Sequence, residues 1–475
     1  MIKRGIRIAG LALLALLVYL AAGAALPFIR QPEVSRETAE RFEKTEFYGD
    51  EAGNERAALL TENGEALAER IRLIEGAQER IILSTFEFRS DESGKDVLAA
   101  LLAAADRGVS VRVIVDGFPA FKDLQLPDDP YFQALAAHEN AQIAIYNPVN
   151  PLKPWKLMGR LHDKYLIADA AAYILGGRNT YDFFLGDYEG YKNYDWDVLV
   201  SCEEPGSGES VNALLDYFSG VWELPLCRIW KDDPKLLEKE RVAAAGEELR
   251  ERYAARKEEH PDWFEPCDYE DRMREVNRIR LLSNPTHCYA KEPAVFYAMT
   301  ELMKSARREV RFHTPYIICD DWMTERLKEV CDSVDSVAMM TNSAANNGNP
   351  FGAMDYEKNR DEILETGVEV LEYDGGISYH GKCFVMDDRL SGIGSFNWDM
   401  RSAYIDTEIM LIIDSAEINA DMRREMGEYE AKALTVTGEG EVLAPEGMTP
   451  QTPSPKQRIL TALLGIFAGW ARFLM

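Results

Sequence analysis

The sequence predicts an α/β protein with two similar lobes, each a mixed and mostly buried β-sheet flanked by helices, preceded by one membrane-spanning helix. Three observations support this fold class. Apolar runs typical of buried strands alternate with helical segments, the order of elements recurs in both halves, and the first 29 residues hold a long uncharged stretch. Because the lobes repeat one unit, we expect a pseudo-two-fold axis between them.

Residues 1–30 have the pattern of an anchor in the cell membrane. Lys3, Arg4 and Arg7 precede residues 8–29, which carry no charge. As a helix this stretch would be about 33 Å long, enough to cross the hydrocarbon core of a bilayer. Basic residues before a span favour a cytoplasmic N-terminus, so the body is expected on the extracytoplasmic side. The alternative is a cleaved signal peptide, because small residues lie near the end of the run.

The two lobes are assigned to residues 57–230 and 277–436. In the first lobe, the pattern predicts a helix over 64–78, a strand over 80–88, a helix over 94–108 and strands over 109–117 and 141–148. In the second, it predicts a strand over 307–317, a helix over 321–332, a strand over 334–343, a helix over 359–367 and a strand over 368–373. Each series then leads to the same short motif.

Three further segments complete the chain. Residues 231–276 are dense in charge and are expected to form an exposed helical connector. Residues 437–455 are rich in Gly, Pro and Thr and are expected to be a linker. Residues 456–475 are expected to form an amphipathic helix, which either lies in the membrane interface or docks on the body. Its apolar side would carry Ile459, Leu460, Leu463, Ile466, Phe467, Trp470 and Phe473.

Composition limits the partners. The chain has 53 basic and 81 acidic residues, a net charge of −28, so it lacks the basic footprint of a nucleic-acid-binding protein. Its cysteines have neither the spacing of a zinc site nor that of a disulfide framework, and are expected to be small buried side chains. They are Cys202, Cys227, Cys267, Cys288, Cys319, Cys331 and Cys383.

The strongest signal is a motif that occurs twice, His-x-Lys-x4-Asp-x6-Gly-x2-Asn. The first copy is His162, Lys164, Asp169, Gly176 and Asn179; the second is His380, Lys382, Asp387, Gly394 and Asn397. At average residue usage, four companions at fixed offsets match by chance about once in 10⁵ trials. A purely structural repeat has no need of the His and Lys pair, so the motif indicates chemistry.

Both copies read as strands, in which the His and the Lys point to the same face. If the lobes pack around a pseudo-two-fold axis, the two pairs meet and form a seat for a phosphodiester. The lysines would stabilise charge on the non-bridging oxygens, and Asn179 and Asn397 would donate hydrogen bonds to them. One imidazole attacks phosphorus while the other protonates the leaving oxygen. This chemistry needs no metal and no cofactor, and no metal-ligand cluster is visible in the sequence.

These motifs resemble the paired HKD motifs of the phospholipase D superfamily. Four further segments, 176–179, 341–347, 363–373 and 394–402, narrow the resemblance to the bacterial cardiolipin synthases, C-type branch. The resemblance covers about residues 57–435. It implies that His162 is the nucleophile and that His380 is the general acid and base.

Family resemblance also implies the roles of the neighbouring residues. Phosphate is expected to be bound by Lys164, Lys382, Asn179, Asn397 and Ser395, a hydroxyl whose first-motif counterpart is Gly177. A downstream carboxylate is expected to hold each histidine, with Asp197 and Glu408 in suitable strand positions. Asp169 and Asp387 belong to the catalytic motifs but are expected to secure the local fold rather than touch substrate.

The function that follows is a membrane-anchored phosphatidyltransferase acting through a covalent phosphohistidine. Phosphatidylglycerol and a second phospholipid would be the substrates, and the lipid bilayer the partner surface. The loop before His162, with Lys153, Trp155, Lys156 and Arg160, either contacts lipid or is a Pro-stiffened surface loop. The alternative function is a hydrolytic phospholipase D, which would release phosphatidic acid.

Overall fold

The computed structural model describes residues 2–265, 272–469 and 471–475, without the side chains of residues 2, 3 and 466–468. Cys267 and Trp470, named above, therefore lie outside the described residues, as do the side chains of Ile466 and Phe467. Before the lobes come helices α1 (Ile2–Ala25) and α2 (Arg36–Lys44).

The first lobe alternates strands and helices as the sequence predicts. Its elements are β1 (Glu55–Leu60), α3 (Asn63–Gly76), β2 (Arg80–Thr85), α4 (Glu92–Asp106), β3 (Ser110–Asp116), α5 (Gly117–Ala120), α6 (Pro130–Ala136), β4 (Ala141–Tyr146), β5 (Tyr165–Ala168), β6 (Ala172–Gly176), β7 (Asn193–Tyr194), β8 (Asp197–Cys202), α7 (Glu209–Trp222) and β9 (Cys227–Ile229). The connector adds α8 (Glu240–Glu259) and β10 (Arg274–Glu275).

The second lobe repeats this series. Its elements are β11 (Arg278–Ser283), α9 (Ala294–Met303), β12 (Glu309–His313), β13 (Ile317–Ile318), α10 (Asp321–Ser333), β14 (Ser336–Asn342), α11 (Pro350–Leu364), β15 (Glu369–Tyr373), β16 (Ser378–Tyr379), β17 (Cys383–Met386), β18 (Leu390–Gly394), β19 (Trp398–Asp399), α12 (Met400–Tyr404), β20 (Ile409–Asp414), α13 (Ala416–Glu430) and β21 (Ala433–Val436). The chain closes with β22 (Val442–Leu443) and α14 (Pro455–Ala468).

The two main sheets have matching strand orders, which confirms the predicted repeat. The first runs β10-β1-β8-β6-β5-β2-β3-β4-β9 and the second β11-β20-β18-β17-β12-β14-β15-β21-β22. In both, the three strands at the centre of the α/β series pair in parallel, and the hairpin that follows each HKD motif pairs antiparallel. The fold is thus two equivalent mixed sheets related by pseudo-two-fold symmetry.

Three apolar clusters hold these layers together. One lies on the outer face of the first sheet under α3, α4 and α6, and one on the outer face of the second sheet under α9, α10 and α11. The third lies between the sheets, where residues from both pack with α7 and α13. Burial of these apolar surfaces joins the lobes into one body, because the middle cluster belongs to both.

The connector is less exposed than its charge predicts. Helix α8 buries Val242, Ala245 and Leu249 against α4 and α6 of the first lobe. Its charged side also reaches that lobe, since Arg252 and Arg256 both pair with the buried Asp96. The helix therefore packs on one face and is solvated on the other. The sequence did not reveal this face, because the few apolar positions are surrounded by many charged residues.

Helix α1 belongs to a candidate membrane span, Arg4–Phe28, none of whose most apolar window is buried. Its C-terminal end touches the body at two points. Tyr19 donates a hydrogen bond of 2.9 Å to the carbonyl of Leu152, and Gly23 packs directly against Pro154. Phe28, just beyond the helix, is buried in the core of the second lobe. The anchor is therefore fixed to the loop that leads to His162.

The C-terminal segment docks on the second lobe. Helix α14 packs on α11, Arg472 pairs with Asp355 at 2.9 Å, and Phe473 packs against the apolar core of that lobe. The docked helix still leaves Ile459, Leu460 and Leu463 exposed. Of the two alternatives drawn from the sequence, docking is what the structure shows, and an apolar stripe remains free for an interface.

Candidate active site

The two HKD motifs occupy equivalent positions, immediately before β5 and β17. His162 and Lys164 lie three residues and one residue before β5 begins at Tyr165, not within the strand as the sequence predicts. Each lysine is buried, and its ammonium donates a hydrogen bond to the carbonyl of its own motif histidine. The side chains of each pair are therefore held together by the local backbone.

Two short parallel pairings join the lobes beside these motifs. Leu161, before the first histidine, forms a bridge with Thr407, and Tyr379, before the second, pairs with Tyr194. The backbone amide of His162 also donates to the Thr407 hydroxyl at 3.1 Å. Each pairing brings a motif histidine next to one residue of the other lobe. For His162 this is the residue after Thr407, and for His380 it is the residue after Tyr194.

That residue is a carboxylate in both cases. Glu408 Oε1 lies 2.8 Å from His162 Nδ1, and Asp195 Oδ2 lies 2.6 Å from His380 Nδ1. Both carboxylates are fully buried. Each histidine is therefore oriented through its Nδ1 atom by an acidic residue of the opposite lobe.

This geometry corrects one sequence prediction. Asp197 contacts neither histidine; it is buried with Arg70 at 2.8 Å and Arg178 at 3.3 Å. The residue that reaches His380 is Asp195, two positions earlier. The strand pairings show that Asp195 and Glu408 are equivalent. Gly176 pairs with Asp197 in β8, and Gly394 pairs with Met410 in β20. Asp195 and Glu408 each lie two residues before these partners.

Ser395 is a second correction. It is fully buried, and its hydroxyl donates a hydrogen bond to Glu408 rather than facing a substrate phosphate. Ser402 supports the same carboxylate, at 2.7 Å from Oε1. The first-lobe counterpart of Ser395 is Gly177, where a Cβ atom would collide with the Asp195 carboxylate. The difference between Ser395 and Gly177 therefore reflects the different surroundings of the two carboxylates: the serine hydroxyl donates to Glu408, whereas Asp195 leaves no room for a side chain at position 177.

Electrostatics differ between the two halves. Although burial opposes ionisation, Lys382 and His380 hold the pKa of Asp195 down to about 2. In contrast, burial raises the pKa of Glu408 to about 8, although Lys164 opposes this. The half built around His380 thus contains a fixed negative charge, whereas the half built around His162 is close to neutral.

Burial also shifts the bases. It lowers the pKa of His380 to about 4, helped by Lys382 and opposed by Asp195, and it lowers that of His162 well below 6.5, helped by Lys164. It lowers the pKa of Lys164 to about 7. Each lysine also lowers the pKa of the histidine in the other lobe. At neutral pH both imidazoles are therefore uncharged in the free protein, the form in which a ring nitrogen can attack.

Comparison with known proteins agrees with this geometry. The family model described as cardiolipin synthase, PLD-like domain, matches residues 71–222 and 299–429, which include both motifs and both carboxylates. The chain belongs to this family. With it, the protein belongs to the phospholipase D superfamily of phosphatidyltransferases and phosphodiesterases.

Individual relatives are distant but extend over most of the chain. Cardiolipin synthase C of Escherichia coli is 26% identical over 78% of this chain and 84% of its own length. Cardiolipin synthase 1 of Staphylococcus epidermidis is 26% identical over 80% of this chain and 70% of its own length. The crystal structure of phosphatidylserine synthase from Haemophilus influenzae has a TM-score of 0.64 at 15% identity, covering 93% and 99% of the two chains. The last match shows that the fold is shared.

The aspartates that give the superfamily motif its third letter lie away from the histidines. Asp169 accepts hydrogen bonds from the backbone amides of residues 78–80, and Asp387 does the same for residues 307–309, at 2.8 to 3.1 Å. Both have positive φ, 55° and 46°, a conformation that aspartate tolerates better than most residues. Each therefore closes the turn after its strand and ties it to the first strand of the parallel series.

The two motif asparagines are buried, and their amides contact the protein. Asn179 Oδ1 accepts from the Glu87 amide at 3.2 Å, and Asn397 Nδ2 donates to the Tyr316 hydroxyl at 3.2 Å. Asn397 Oδ1 is buried without a hydrogen-bond partner in the described part of the chain. Tyr316, which the sequence did not single out, thereby joins the site.

A cavity of about 460 Å³ opens beside His162 and receives residues from both lobes. One side of its lining is apolar and the other is polar. The apolar residues are Phe86, Phe118, Leu157 and Met158, and the polar ones are Arg160, Tyr316, Asn397, Asp399, Arg401, Ser402 and Asp406. Such a lining suits an amphipathic molecule. Within the described residues, no group of three or more His, Cys, Asp and Glu side chains is arranged to hold a metal ion.

Proposed function

We propose that this protein is a membrane-anchored phosphatidyltransferase that passes the phosphatidyl group of one phospholipid to a hydroxyl of phosphatidylglycerol, forming cardiolipin. The observation that carries this proposal is the exchange of carboxylates between the lobes. In it, each imidazole Nδ1 contacts a buried carboxylate of the opposite lobe, and each motif contains a buried lysine. Each lysine also lowers the pKa of the other lobe's histidine, which supports a close approach of the two pairs. Two bases and two cations are the groups that a two-step transfer at one phosphodiester requires.

In the first step, His162 Nε2 attacks phosphorus. The P–N bond forms, the bond from phosphorus to the leaving alcohol breaks, and His380 delivers a proton to the departing oxygen. A bound phosphodiester is an anion next to His380, so it favours the imidazolium form that the ionised Asp195 also stabilises. Lys164 and Lys382 stabilise the charge that develops on the non-bridging oxygens.

In the second step, His380 acts as the base. It takes the proton of the incoming hydroxyl, whose oxygen attacks phosphorus as the P–N bond breaks, and His162 is released unchanged. Asn397, which lines the cavity with His162, and its motif counterpart Asn179 would complete the hydrogen bonds to the phosphoryl oxygens. Water in place of the alcohol would give hydrolysis, so the outcome depends on which acceptor reaches His380.

The anchor places this chemistry at a membrane. Lys3, Arg4 and Arg7 precede the candidate span, a bias that favours a cytoplasmic N-terminus and an extracytoplasmic body. Phosphatidylglycerol in the facing leaflet would then be the acceptor, and a second phospholipid the donor.

Product analysis tests the proposal. The purified full-length chain is incubated with vesicles of phosphatidylglycerol labelled in its headgroup glycerol, alone and mixed with a second phospholipid. We expect labelled cardiolipin and free glycerol, and neither product from His162→Ala or His380→Ala. Phosphatidic acid without cardiolipin would overturn the transferase proposal in favour of the phospholipase D, and no product from any mixture would overturn both.

A further inference from the structure

We propose that the surface around the cavity mouth lies flat on the bilayer, and that the cavity is a port through which a phospholipid reaches His162 while its acyl chains stay in the membrane. The surface consists of the end of α1, the loop 147–158 and the segment 117–126. The identity of the admitted lipid rests on the proposed function, whereas the contact with the bilayer does not.

The first argument is the position of the anchor. Tyr19 and Gly23, near the end of the candidate span, contact Leu152 and Pro154 of the loop. This loop is itself rigidly held, because Asn147 Nδ2 donates to the carbonyls of Lys156 and Gly159 at 2.6 and 2.8 Å. A membrane that surrounds α1 must therefore come close to the loop.

The second argument is exposure. Leu152 is 78% exposed at the tip of the loop, and Leu126 is 67% exposed at the end of the neighbouring segment. Phe118 and Trp155 are also exposed. The exposed Lys153 adds positive charge in a strongly acidic protein, whereas Lys122 is paired with Asp123 at 3.5 Å. Large apolar side chains beside cations are typical of a surface that inserts into the headgroup region of an anionic bilayer.

The third argument is continuity with the site. Gly117 packs directly on Asn147, so the segment and the loop form one surface. Phe118 from the segment and Leu157 and Met158 from the loop also line the cavity that ends at His162. The loop that contacts α1 therefore also contributes apolar side chains to the cavity beside His162.

Cavity size decides how much of a lipid enters. A volume of about 460 Å³ is typical of a pocket for a drug-sized molecule. It can hold a headgroup and glycerol backbone but not two long acyl chains as well. The cavity combines apolar residues, among them the 63% exposed Phe118, with the charged Arg160, Arg401 and Asp406, a lining that matches both parts of a phospholipid.

Photo-crosslinking tests the membrane contact without using activity. Full-length chains carrying the substitution Leu126→benzoylphenylalanine, Leu152→benzoylphenylalanine or Tyr48→benzoylphenylalanine are placed in nanodiscs of radiolabelled phospholipid. Tyr48 is the control because it is half exposed beside Asp414, at the opposite end of β20 from Glu408. We expect lipid crosslinks at positions 126 and 152 at least about fivefold above position 48. Equal crosslinking at all three positions would overturn the proposal.

Kinetics test the port. The double variant Leu126→Ser/Leu152→Ser is compared with Tyr48→Ser on phosphatidylglycerol in vesicles and on a soluble short-chain analogue. We expect the double variant to lose about five- to tenfold in turnover on vesicles and to stay within about twofold of wild type on the soluble substrate. Equal loss on both substrates, or none on vesicles, would overturn the port. If wild type makes no cardiolipin, the proposed function fails, while the crosslinks still decide the membrane surface.

Discussion

Glu408 Oε1, in the second lobe, lies 2.8 Å from His162 Nδ1, in the first lobe. The pseudo-symmetric contact, from Asp195 to His380, runs in the opposite direction at 2.6 Å. Neither lobe alone therefore contains an oriented histidine. This exchange explains why the chain carries the motif twice and why the lobes share a single apolar core between their sheets.

The first prediction concerns these two carboxylates. Asp195→Asn should lower turnover by about 10³- to 10⁴-fold, because an ionised partner that stabilises the imidazolium is lost. Glu408→Gln should cost less, about 10²-fold, because burial raises the pKa of Glu408 and the group is largely protonated near neutral pH. Steady-state rates of cardiolipin formation at pH 7 measure both effects.

Asp197→Asn is the matched control for Asp195→Asn. Asp197 neutralises Arg70 and Arg178 in a buried cluster, so this change should lower the unfolding temperature and leave the turnover of folded protein within a few fold. A loss of turnover from Asp197→Asn as large as that from Asp195→Asn would contradict the assignment.

Features that repeat as local sequence patterns could be predicted, whereas contacts set by pairing between distant strands could not. The fold and the equivalent positions of the two His and Lys pairs were predictable, because two apolar patterns and two sets of fixed offsets repeat along one chain. The partner of His380 was not found, because it is set by a pairing between Tyr379 and Tyr194, far apart in sequence. Asp195 and Asp197, two positions apart where β8 begins, looked equivalent, and only the strand register separates them.

Side-chain roles within the motif were harder to predict than its position. Ser395 looked like a phosphate ligand because it follows the motif glycine, yet strand pairing turns its hydroxyl toward Glu408. The cavity residues Tyr316 and Arg401 were not singled out, although Arg401 lies in the segment 394–402, since they come from separate segments of the second lobe that meet beside His162. Tertiary packing, rather than local pattern, determines these contacts.

The second prediction identifies the nucleophile. The variant His380→Ala lacks the general acid and base. A 4-nitrophenolate group, however, can leave a phosphodiester without being protonated. This variant should therefore release one equivalent of 4-nitrophenolate in a burst and retain the phosphoryl group on His162, detected by mass spectrometry of the intact chain and its peptides. His162→Ala should show neither. An adduct on His380 in His162→Ala would reverse the roles of the two histidines.

The third prediction is a pH dependence of stability. Burial raises the folded-state pKa of Glu408 to about 8, above its ordinary value of 4.5, so the folded protein binds a proton that the unfolded chain has released. This contribution to stability is fully present below about pH 4.5 and is lost as pH rises to about 8. One pKa unit corresponds to about 1.4 kcal/mol, so the effect should be several kcal/mol.

Glu408→Gln removes this contribution. Thermal unfolding of the full-length chain in detergent, at constant ionic strength, should show wild type losing more stability than Glu408→Gln between pH 5 and pH 8. Asp195→Asn should not reduce the loss of stability between pH 5 and pH 8. The pKa of Asp195 is lowered to about 2, so its own contribution to stability changes only at acidic pH. Parallel curves for wild type and Glu408→Gln would refute the prediction.

The fourth prediction concerns metal. In the proposed mechanism, the buried Lys164 and Lys382 supply the positive charge that the phosphoryl group needs. Prolonged treatment with EDTA should therefore leave the rate of cardiolipin formation unchanged within experimental error. Strong inhibition that zinc restores would show that a metal ion supplies part of this charge.

The fifth prediction separates fold from chemistry within the motif. Asp169 and Asp387 each accept hydrogen bonds from three backbone amides at the start of the parallel strands, and neither touches a histidine. Asparagine tolerates the same positive φ, but only its Oδ1 atom can accept, so the backbone N–H that each aspartate binds through Oδ2 loses its acceptor and the remaining bonds lose the charge. Asp169→Asn and Asp387→Asn should therefore each cost about 1 to 3 kcal/mol of stability and leave turnover, measured well below the unfolding temperature, within about threefold. Lys164→Ala, a change in the same motif, should instead remove turnover. A loss of 100-fold or more in either asparagine variant, at unchanged unfolding temperature, would mean that the motif aspartates act on the substrate.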